Sequence, residues 1–534
     1  MKYAVSTFVG FLFVALSANA ATITPKTPAL VDSCYQISDA AELYGFAAIV
    51  NGVGEGNLPQ ENVCGKLTQN IVVNESVLNS EGKLNSYKDF VPWVPMMHFS
   101  GKFDGNNHVI YGLYFNGSGD KSVGLFENAS GFQILNLGLE DFYFAGKENV
   151  GAFVGFVNDY SKNQMEITNS YAAGLIEGES GVGGFIGNAA WQKGAVVISG
   201  CHNLSMVNGT YHVGGFIGSL YEDEAEIINS YNSGVVSGTS SVGGLVGTAG
   251  RAIAKINQSY NAGRVAGQLK IGGLVGNVNS YGYALLVNVY NKGPVEGTSR
   301  VGGIVGYEEG VDLIGGGVTL LNAYNAGRVT FSADSSQKAG TIVGYGYGDG
   351  DIVFDNCFYL KQDGLVAASV ADTTSKEIDA FAVTEDQLMD GLVADSLRGW
   401  VEKYRNGTVV EDGANGLVWA RDSAGSHVLP HFNWENATGS SVVESSSSVE
   451  LSSSSEQTTS LELAFVPQFS VSVLNRNLQV SGARVGDRYA LFDMQGNVVL
   501  RGTVNSPNFN RTVPVPGNYV LRIGNGSRKV TVRF

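Results

Sequence analysis

Short apolar segments separated by glycine recur along the middle of the chain with a period of about 30 residues. The recurring motif is Val-Gly-Gly, a large apolar residue, Val or Ile, and Gly, in seven variant copies. A fixed period of this size is typical of a solenoid, in which each repeat forms one coil. The sequence therefore predicts a repeat scaffold suited to binding or display. The copies begin at Val150, Val182, Val213, Val242, Ile271, Val301 and Ala339.

Each motif belongs to a longer unit, which is clearest at residues 228–247 and returns at 256–276 and 287–306. Its segments are rich in β-branched residues and bounded by Gly, which predicts strands of about four to six residues. One coil cannot bury its own apolar side, so stability is expected to come from stacked neighbours.

The glycine pair of each motif is predicted to form a corner. Leu245 and Val246 are adjacent, and in a straight strand they would point to opposite faces. A bend at the preceding glycines would turn both side chains inward, because Gly accepts the required dihedral angles freely.

Composition and charge narrow the choice of partner. Glycine makes up 72 of 534 residues, without the strict triplet of collagen. The formal net charge is −16, whereas nucleic acid binding requires a basic surface that displaces counterions from phosphate. Nucleic acid is therefore not expected as a partner, and an anionic membrane surface is disfavoured.

The N-terminus has the features of a secretory signal peptide over residues 1–20. Lys2 precedes an apolar run at 8–16, and Ala-Asn-Ala at 18–20 forms a cleavage site before Ala21. The absence of a Cys after this site argues against a lipoprotein anchor. No later apolar run reaches the roughly 18 residues of a transmembrane segment, so export in soluble form is expected.

Export permits disulfides, and the four cysteines fall into two groups. Cys34 and Cys64 both precede the repeats and are predicted to pair, which would restrict the unfolded chain. Cys201 and Cys357 occupy equivalent positions about five coils apart, beyond bonding distance at about 4.8 Å per coil. They are predicted to be small buried residues, and no Cys-x-x-Cys pair or His cluster indicates a metal such as zinc.

Helical caps are predicted at both ends of the solenoid, where open edges would invite aggregation. Residues 384–387 (Thr-Glu-Asp-Gln) form a capping box that leads into a helix at 388–400. At the other end, Ser38 or Asp39 is the expected N-cap of a helix within residues 39–51. Its helically spaced apolar positions are Leu43, Phe46, Ala47 and Val50.

The C-terminal region has a different composition. Residues 439–460 are rich in Ser and predict a flexible linker. Beyond it, residues 461–534 alternate apolar and polar positions between turn signals, which predicts a small β-sandwich. The expected organisation is a signal peptide (1–20), an N-terminal cap and lead-in (21–122), a solenoid (123–360), a C-terminal cap (361–438), the linker (439–460) and the sandwich (461–534).

Two resemblances follow from these segments. The repeats resemble the GLUG repeat of bacterial surface proteins, and residues 103–108 and 123–126 resemble its usual lead-in. Residues 491–497 and 517–523 resemble the C-terminal sorting domain of type IX secretion cargo. This resemblance implies the secretion machinery as a partner and a location that is secreted or on the outer surface of a Gram-negative-type bacterium. A carbohydrate-binding or fibronectin-like module is the alternative for the sandwich.

Catalytic signatures are missing from the sequence. GLUG repeats also occur in some bacterial immunoglobulin-cleaving metallopeptidases, but none of the six histidines has the His-Glu-x-x-His context that binds zinc. A Gly-x-Ser-x-Gly elbow and a P-loop are also missing. A carboxylate cluster of a polysaccharide-active β-helix enzyme stays the rival interpretation. One acidic position varies between repeats and is therefore expected to be solvated: Glu177, Ser237, Ala266 and Glu296.

The remaining acidic groups lie between coils and are predicted to be solvated, with a substrate or calcium site as the alternative. Asp349 and Asp351 flank Gly350, which favours an acidic turn over a calcium site. The other acidic groups between coils are Glu222, Asp223, Glu224, Glu226, Glu308, Glu309 and Asp312.

Tyrosine recurs at one position of five repeats, where His202 and Phe358 replace it in two others. Stacked in register, such rings would form a ladder that either fills the core or, facing outward, binds sugar rings. The flanking Asn is also repeated, which favours an inward or corner ladder with Asn capping the turns. The candidate ligand-binding residues are Tyr171, Tyr231, Tyr260, Tyr290 and Tyr324.

The sequence therefore predicts a mainly β protein, a capped β-solenoid joined to a small β-sandwich. Its expected role is adhesion, or binding of an extracellular polysaccharide or surface protein, without catalysis and without a cofactor. A polysaccharide-active β-helix enzyme, either a lyase or a glycoside hydrolase, is the alternative. A purely structural surface coat is not distinguished from adhesion.

Overall fold

The computed structural model divides the chain into two compact units, Met1–Phe432 and Asn433–Phe534. The predicted signal peptide and Ser-rich linker lie outside the described residues. The described residues are 22–435 and 470–532, apart from 55–56, 86–88, 118, 120–121, 159–164, 191–193, 223, 280, 311–315, 333–337, 349–350, 371–377, 406–418, 421–428, 433, 475–476, 482–487, 494–497, 505, 507, 514–516 and 524–525.

The first unit is a parallel β-solenoid of about ten turns, which confirms the predicted fold. The coils that carry the repeated motif pass through three sheets in turn, called here the short, middle and long sheets. One coil illustrates the path, with Ser240–Gly243 in the short sheet, Val246–Gly250 in the middle sheet, and Ile253–Asn261 and Val265–Ala266 in the long sheet.

The strands of the short sheet are Glu148–Gly151, Ser180–Gly183, Tyr211–Gly214, Ser240–Gly243, Leu269–Gly272, Ser299–Gly302 and Ala339–Gly340. Those of the middle sheet are Phe126–Ala129, Val154–Val157, Ile186–Ala190, Ile217–Tyr221, Val246–Gly250, Val275–Asn279, Val305–Gly310, Val343–Gly348 and Ala368–Val370. Those of the long sheet are Ala29–Val31, Cys34–Ile37, Cys64–Leu67, Ile71–Val72, Lys102–Tyr111, Tyr114–Asn116, Gln133–Ala145, Met165–Thr168, Tyr171–Glu177, Val196–Ser199, His202–Asn203, Met206–Asn208, Glu224–Ile228, Tyr231–Asn232, Val236–Ser237, Ile253–Asn261, Val265–Ala266, Tyr283–Asn291, Val295–Glu296, Gly317–Leu321, Tyr324–Asn325, Val329–Thr330, Asp351–Leu360 and Ile378–Val383.

Equivalent residues of successive repeats lie side by side. Val242 pairs with Ile271, and Tyr231 pairs with Tyr260, in parallel register. The parallel stack also extends beyond residues 123–360. Before them, Cys34–Ile37 pairs with Cys64–Leu67, and after them, Ile378–Val383 pairs with Asp351–Leu360. These outer coils lack the Val-Gly-Gly motif but use the same strand pairing.

The glycine pair forms the predicted corner, but the reason why glycine is needed there differs from the predicted one. Leu245 and Val246 are both buried, and the chain bends between the short and middle sheets at this point. The glycines here do not have left-handed φ angles. A Cβ on Gly244 would instead lie 2.1 Å from the Gly273 carbonyl oxygen of the next coil. Gly is required because the neighbouring coil occupies the space of a side chain.

A row of buried asparagine amides stabilises the same corner from inside. Asn232 Nδ2 donates to Asn261 Oδ1 at 2.8 Å, and Asn261 Nδ2 donates to Asn291 Oδ1 at 2.8 Å. Each amide also closes the turn two residues later, as Asn261 does with the backbone N–H and C=O of Gly263. The predicted turn-capping role of Asn is therefore present. The row comprises Asn203, Asn232, Asn261, Asn291 and Asn325, all fully buried.

The N-terminal helix, α1 (Ala40–Val50), forms as predicted. Asp39 is its N-cap and accepts a hydrogen bond from Glu42 N at 2.8 Å. Lys26 and Ser38 both donate to the carboxylate of Glu42, which lowers the pKa of Glu42 to about 2. The four apolar positions expected to be buried are buried in the solenoid core.

The C-terminal cap differs from the single predicted helix. The capping box at Thr384 begins α2 (Glu385–Met389), but Gly391 has φ +94 and a second helix, α3 (Leu392–Arg405), follows. Trp400 Nε1 of α3 donates to Asp355 Oδ2 at 2.9 Å, and Asn322 donates to the Leu397 carbonyl oxygen. The helix thus packs against the side of the last coils.

The cysteine predictions are confirmed. Cys34 and Cys64 form a disulfide across two paired strands, with their Cα atoms 4.5 Å apart. Cys201 and Cys357 are free and buried. Each thiol lies near backbone carbonyl oxygens, and burial raises the pKa of both to about 12.

The second unit contains two antiparallel sheets, as expected for a sandwich. Its described core includes Leu478, Val480, Leu491 and Leu521. One sheet has the strands Ser470–Leu474, Asn477–Ser481 and Phe509–Thr512, and the other has Arg488–Asp493, Val498–Thr503, Gly517–Ile523 and Gly526–Val532.

We predict that Asn261→Leu destabilises the solenoid by roughly 3 kcal/mol, because it removes both side-chain hydrogen bonds to the Gly263 backbone and one hydrogen bond from each neighbouring amide of the buried row. The urea midpoint of unfolding measures this effect. Gln268→Ala, at an exposed position of the same repeat, is the control and should leave the midpoint unchanged. Equal midpoints for the two variants would show that the amide row is dispensable.

Candidate functional site

The predicted aromatic ladder exists, but it lies on the outer side of the long sheet, so the favoured inward or corner orientation was wrong. Side chains alternate along a strand, and Ser230 and Asn232 on either side of Tyr231 are fully buried. Tyr231 must therefore point away from the interior. The inward positions belong to Ser and Asn, and the apolar core cluster does not include the ladder rings.

Strand register fixes the geometry of the ladder. Neighbouring ring centroids are 4.6 to 5.1 Å apart, and the ring planes differ by 3 to 6°. His202 replaces Tyr at the second rung and stacks on Tyr171 and Tyr231. Each inner ring has both faces against its neighbours, so a ligand reaches ring edges and polar groups rather than ring faces. The six stacked residues are Tyr171, His202, Tyr231, Tyr260, Tyr290 and Tyr324.

The C-terminal half of the ladder is covered by the chain itself. Phe432 lies 5.3 Å from the Tyr290 ring, and Trp419 lies 5.9 Å from the Tyr324 ring, centroid to centroid. The Tyr324 hydroxyl donates to the Pro430 carbonyl oxygen. Tyr290 and Tyr324 are consequently 0% and 1% exposed. These two predicted binding residues have a packing partner already.

The N-terminal half of the ladder, made of Tyr171, His202 and Tyr231, stays partly exposed. At its end the Tyr171 ring lies on the backbone of Gly138, where a Cβ would be 2.7 Å from the ring. The Tyr171 hydroxyl donates to Glu140 Oε1. Burial and Glu140 raise the pKa of Tyr171, so its hydroxyl remains protonated at neutral pH. This open half is the candidate binding site, and it offers hydroxyl, imidazole and carboxylate groups in one row.

Burial between two rings lowers the pKa of His202 to about 4. The imidazole is therefore neutral at pH 7 and offers one donor and one acceptor nitrogen. Uncharged rings beside the Glu140 carboxylate suit hydroxyl-rich ligands better than anions.

The variable acidic position, which was expected to be solvated, is half-buried. Its residues pair in register along the stack: Glu177 with Asn208, Asn208 with Ser237, Ser237 with Ala266, and Ala266 with Glu296. Glu177 accepts a hydrogen bond from Tyr143, and Glu296 from Arg264 Nε at 3.0 Å. These carboxylates bind neighbouring side chains and do not converge on a common point.

The other acidic groups do not assemble a metal site among the described residues. Glu222 pairs with Arg251 at 3.2 Å, and Glu224 pairs with Lys255 at 2.7 Å. The prediction that Glu308 is solvated was wrong, because this residue is fully buried. The predicted calcium alternative at Asp349 and Gly350, as well as Asp223 and Asp312, lies outside the described residues. Across the part of the chain that is described, no helix is long and apolar enough to cross a membrane.

Sequence reasoning missed two features. The cover over Tyr290 and Tyr324 comes from residues about a hundred positions further along the chain, and no repeat signal marks it. The second feature is a row of cations immediately before the last three motifs, at Lys270, Arg300 and Lys338. Comparing the residue before each motif across repeats would have revealed it.

Comparison with known proteins gives a structural similarity at low sequence identity. No family model matches the chain, and no curated protein matches it. A crystal structure of a "putative immunoglobulin A1 protease" from Bacteroides ovatus is similar, with 17% sequence identity and a TM-score of 0.37. The match covers 77% of this chain and 96% of that one. The fold assignment therefore rests on the strand pairing of this protein.

We predict that His202→Tyr, which restores the ring of the other rungs, stabilises the protein below pH 6.5. The unfolded imidazole binds a proton near pH 6.5 but the folded one only near pH 4, so wild-type stability falls as the pH drops between these values. At pH 5 the gain should be about 2 kcal/mol, and at pH 8 it should largely vanish. Urea unfolding at both pH values measures this difference. An equal effect at pH 5 and pH 8 would contradict a neutral, buried His202.

Proposed function

We propose that the protein is an exported surface protein that binds an extended ligand along the outer side of its solenoid, without catalysis. The observation that supports this is the open half of the aromatic ladder, which presents one polar-edged ring per coil in a straight row. A chain lying along the row would meet a similar group every 4.7–4.9 Å or so. Adhesion to a polysaccharide is the role that this arrangement suits best.

Export is supported by independent features. The N-terminal segment has the charge, apolar run and cleavage site of a signal peptide. The Cys34–Cys64 disulfide requires an oxidising compartment for its formation. We propose that the protein is secreted or placed on the outer surface of a Gram-negative-type bacterium.

The antiparallel unit at the C-terminus is proposed as the sorting domain for type IX secretion. Its two small sheets fit the size of such a domain, and the resemblance at residues 491–497 and 517–523 supplies the assignment. The solenoid before it would then be the secreted cargo and the functional part.

We expect the mature chain to bind one or more members of a panel of soluble and insoluble plant and bacterial polysaccharides without releasing new reducing ends or unsaturated products. Tyr171→Ala combined with Tyr231→Ala should weaken binding roughly tenfold, because both open rings lose their edges and hydroxyl groups. Tyr211→Ala removes an exposed Tyr of the short sheet and serves as the matched control. Melting temperatures establish that each variant is folded.

Two results would contradict this proposal. Released oligosaccharide would show a polysaccharide-active enzyme, and unchanged binding by the folded double variant would exclude the ladder as the contact surface.

We expect residues 461–534, fused to a periplasmic reporter enzyme, to carry the reporter across the outer membrane of a bacterium that has type IX secretion. Deletion of the same residues from the full chain should retain it inside the cell. Fractionation with an antibody to the solenoid measures both. A reporter that stays in the periplasm would assign this unit another role, such as carbohydrate binding.

A further inference from the structure

A second row of side chains lies at the corner where the short sheet meets the middle sheet. The residue before the motif adopts a left-handed conformation in the first six copies, with φ +61° at Lys270 and +58° at Arg300. Leu269 pairs with Ser299, and Ile271 with Val301, so Lys270 lies beside Arg300. Arg300 N in turn donates to the Lys338 carbonyl oxygen of the next coil. Three cations therefore follow one another in successive coils.

Tyrosines of the middle sheet form a floor under these cations. Lys270 Nζ lies 4.6 Å and Arg300 Cζ 4.3 Å from the Tyr307 ring centroid. Lys338 Nζ lies 5.5 Å from the Tyr345 ring centroid. The stacked rings hold the charges above the surface, and cation–π attraction keeps the side chains in place. The adjacent Tyr347 is 54% exposed and extends the floor towards solvent.

This row differs from three other cations of the repeats. Arg251, Lys255 and Arg264 each pair with a glutamate of a neighbouring coil, so their charges cancel across the coils. Within the described residues, no carboxylate lies within 4.0 Å of the three cations of the row, although Glu309 is near enough to act on Lys270 through its charge. Burial and the neighbouring Arg300 lower the pKa of Lys270. Like charges in register cost stability unless an anion lies between them.

We propose that the row of Lys270, Arg300 and Lys338 binds an acidic polysaccharide of the polyuronate class, laid parallel to the solenoid axis. Each carboxylate would meet one cation, and the apolar faces of the sugar rings would contact Tyr345 and Tyr347. This is a different surface from the aromatic ladder, and it does not depend on binding there.

Spacing favours a polyuronate over other polyanions. The cations repeat at the distance between parallel strands, about 4.7–4.9 Å. A linear uronan carries one carboxylate per pyranose ring, and one ring is about as long as one strand spacing. Neighbouring carboxylates leave the chain in different directions, so the long Lys and Arg side chains would reach them from either side. An extended acidic peptide presents like-facing side chains every second residue, about 6.6 Å apart. In duplex DNA the phosphates of one strand recur every 3.4 Å or so along the helix axis. Neither matches three successive coils.

The test uses the mature full-length chain and polygalacturonate, with its methyl-esterified form, poly-glutamate and duplex DNA as comparison probes. We expect binding of polygalacturonate alone, weakened by added salt as charge screening requires. The triple variant Lys270→Gln, Arg300→Gln, Lys338→Gln should bind it roughly tenfold more weakly. The matched control, Arg251→Gln, Lys255→Gln, Arg264→Gln, removes the same charge from paired sites and should bind like the wild type.

The outcomes separate a binding row from a structural one. A lower melting temperature of the triple variant with unchanged affinity would show that the cations only stabilise the corner, which overturns the proposal. Equal binding of poly-glutamate or DNA would overturn its specificity. If the triple variant does not fold, Lys338→Gln, at the exposed end of the row, should weaken binding about threefold, and no change there would overturn the proposal. The double variant Tyr171→Ala, Tyr231→Ala tests the ladder separately. Its loss of binding to a neutral polysaccharide would not change the result expected for polygalacturonate.

Discussion

The structure depends on parallel, in-register hydrogen bonding between coils. Register places each residue next to its equivalent in the following repeat, as Tyr231 is next to Tyr260 and Val242 next to Ile271. Only side chains that tolerate their own copy at about 4.8 Å can then recur. Valine and isoleucine do so by packing, tyrosine by stacking, and asparagine because its amide both donates and accepts. A charged side chain does not tolerate its own copy at this distance. Where charged residues recur, their signs must therefore alternate, or their charges must be neutralised by other side chains or by a ligand.

The same constraint explains the glycines. A solenoid with so tight a corner brings the backbone of one coil close to the next, and a Cβ on Gly273 would lie 2.0 Å from the Gly303 carbonyl oxygen and 2.6 Å from the Asn291 amide carbon. Glycine and asparagine therefore form one structural unit, since the space that glycine leaves open accommodates the buried amide of the neighbouring strand. Alanine at the second glycine would require the amide row to shift.

Sequence periodicity could predict whatever repeats. The solenoid, the buried pair at Leu245 and Val246, and the stacked tyrosines follow from local pattern and translation alone. The Cys34–Cys64 disulfide and α1 also follow from local signals. The orientation of the rings could not be predicted in this way. Tyr and Asn are adjacent, so they point to opposite faces of the strand, but the sequence does not show which of the two faces inward. The break at Gly391 and the cover over Tyr324 depend on single contacts of the cap, which have no repeat to reveal them.

The two rows have opposite chemistry, which bears on how the scaffold binds. The rings of the open ladder are uncharged, since burial keeps His202 unprotonated, whereas the corner row concentrates positive charge near tyrosines in a chain of net charge −16. In either row each coil supplies one weak contact, and a polymer that satisfies several coils at once gains effective concentration for every contact after the first. Affinity then grows with the number of matched coils rather than with the strength of any site. Such a surface discriminates by the spacing of the ligand's groups, and a small molecule bearing one of them would bind poorly.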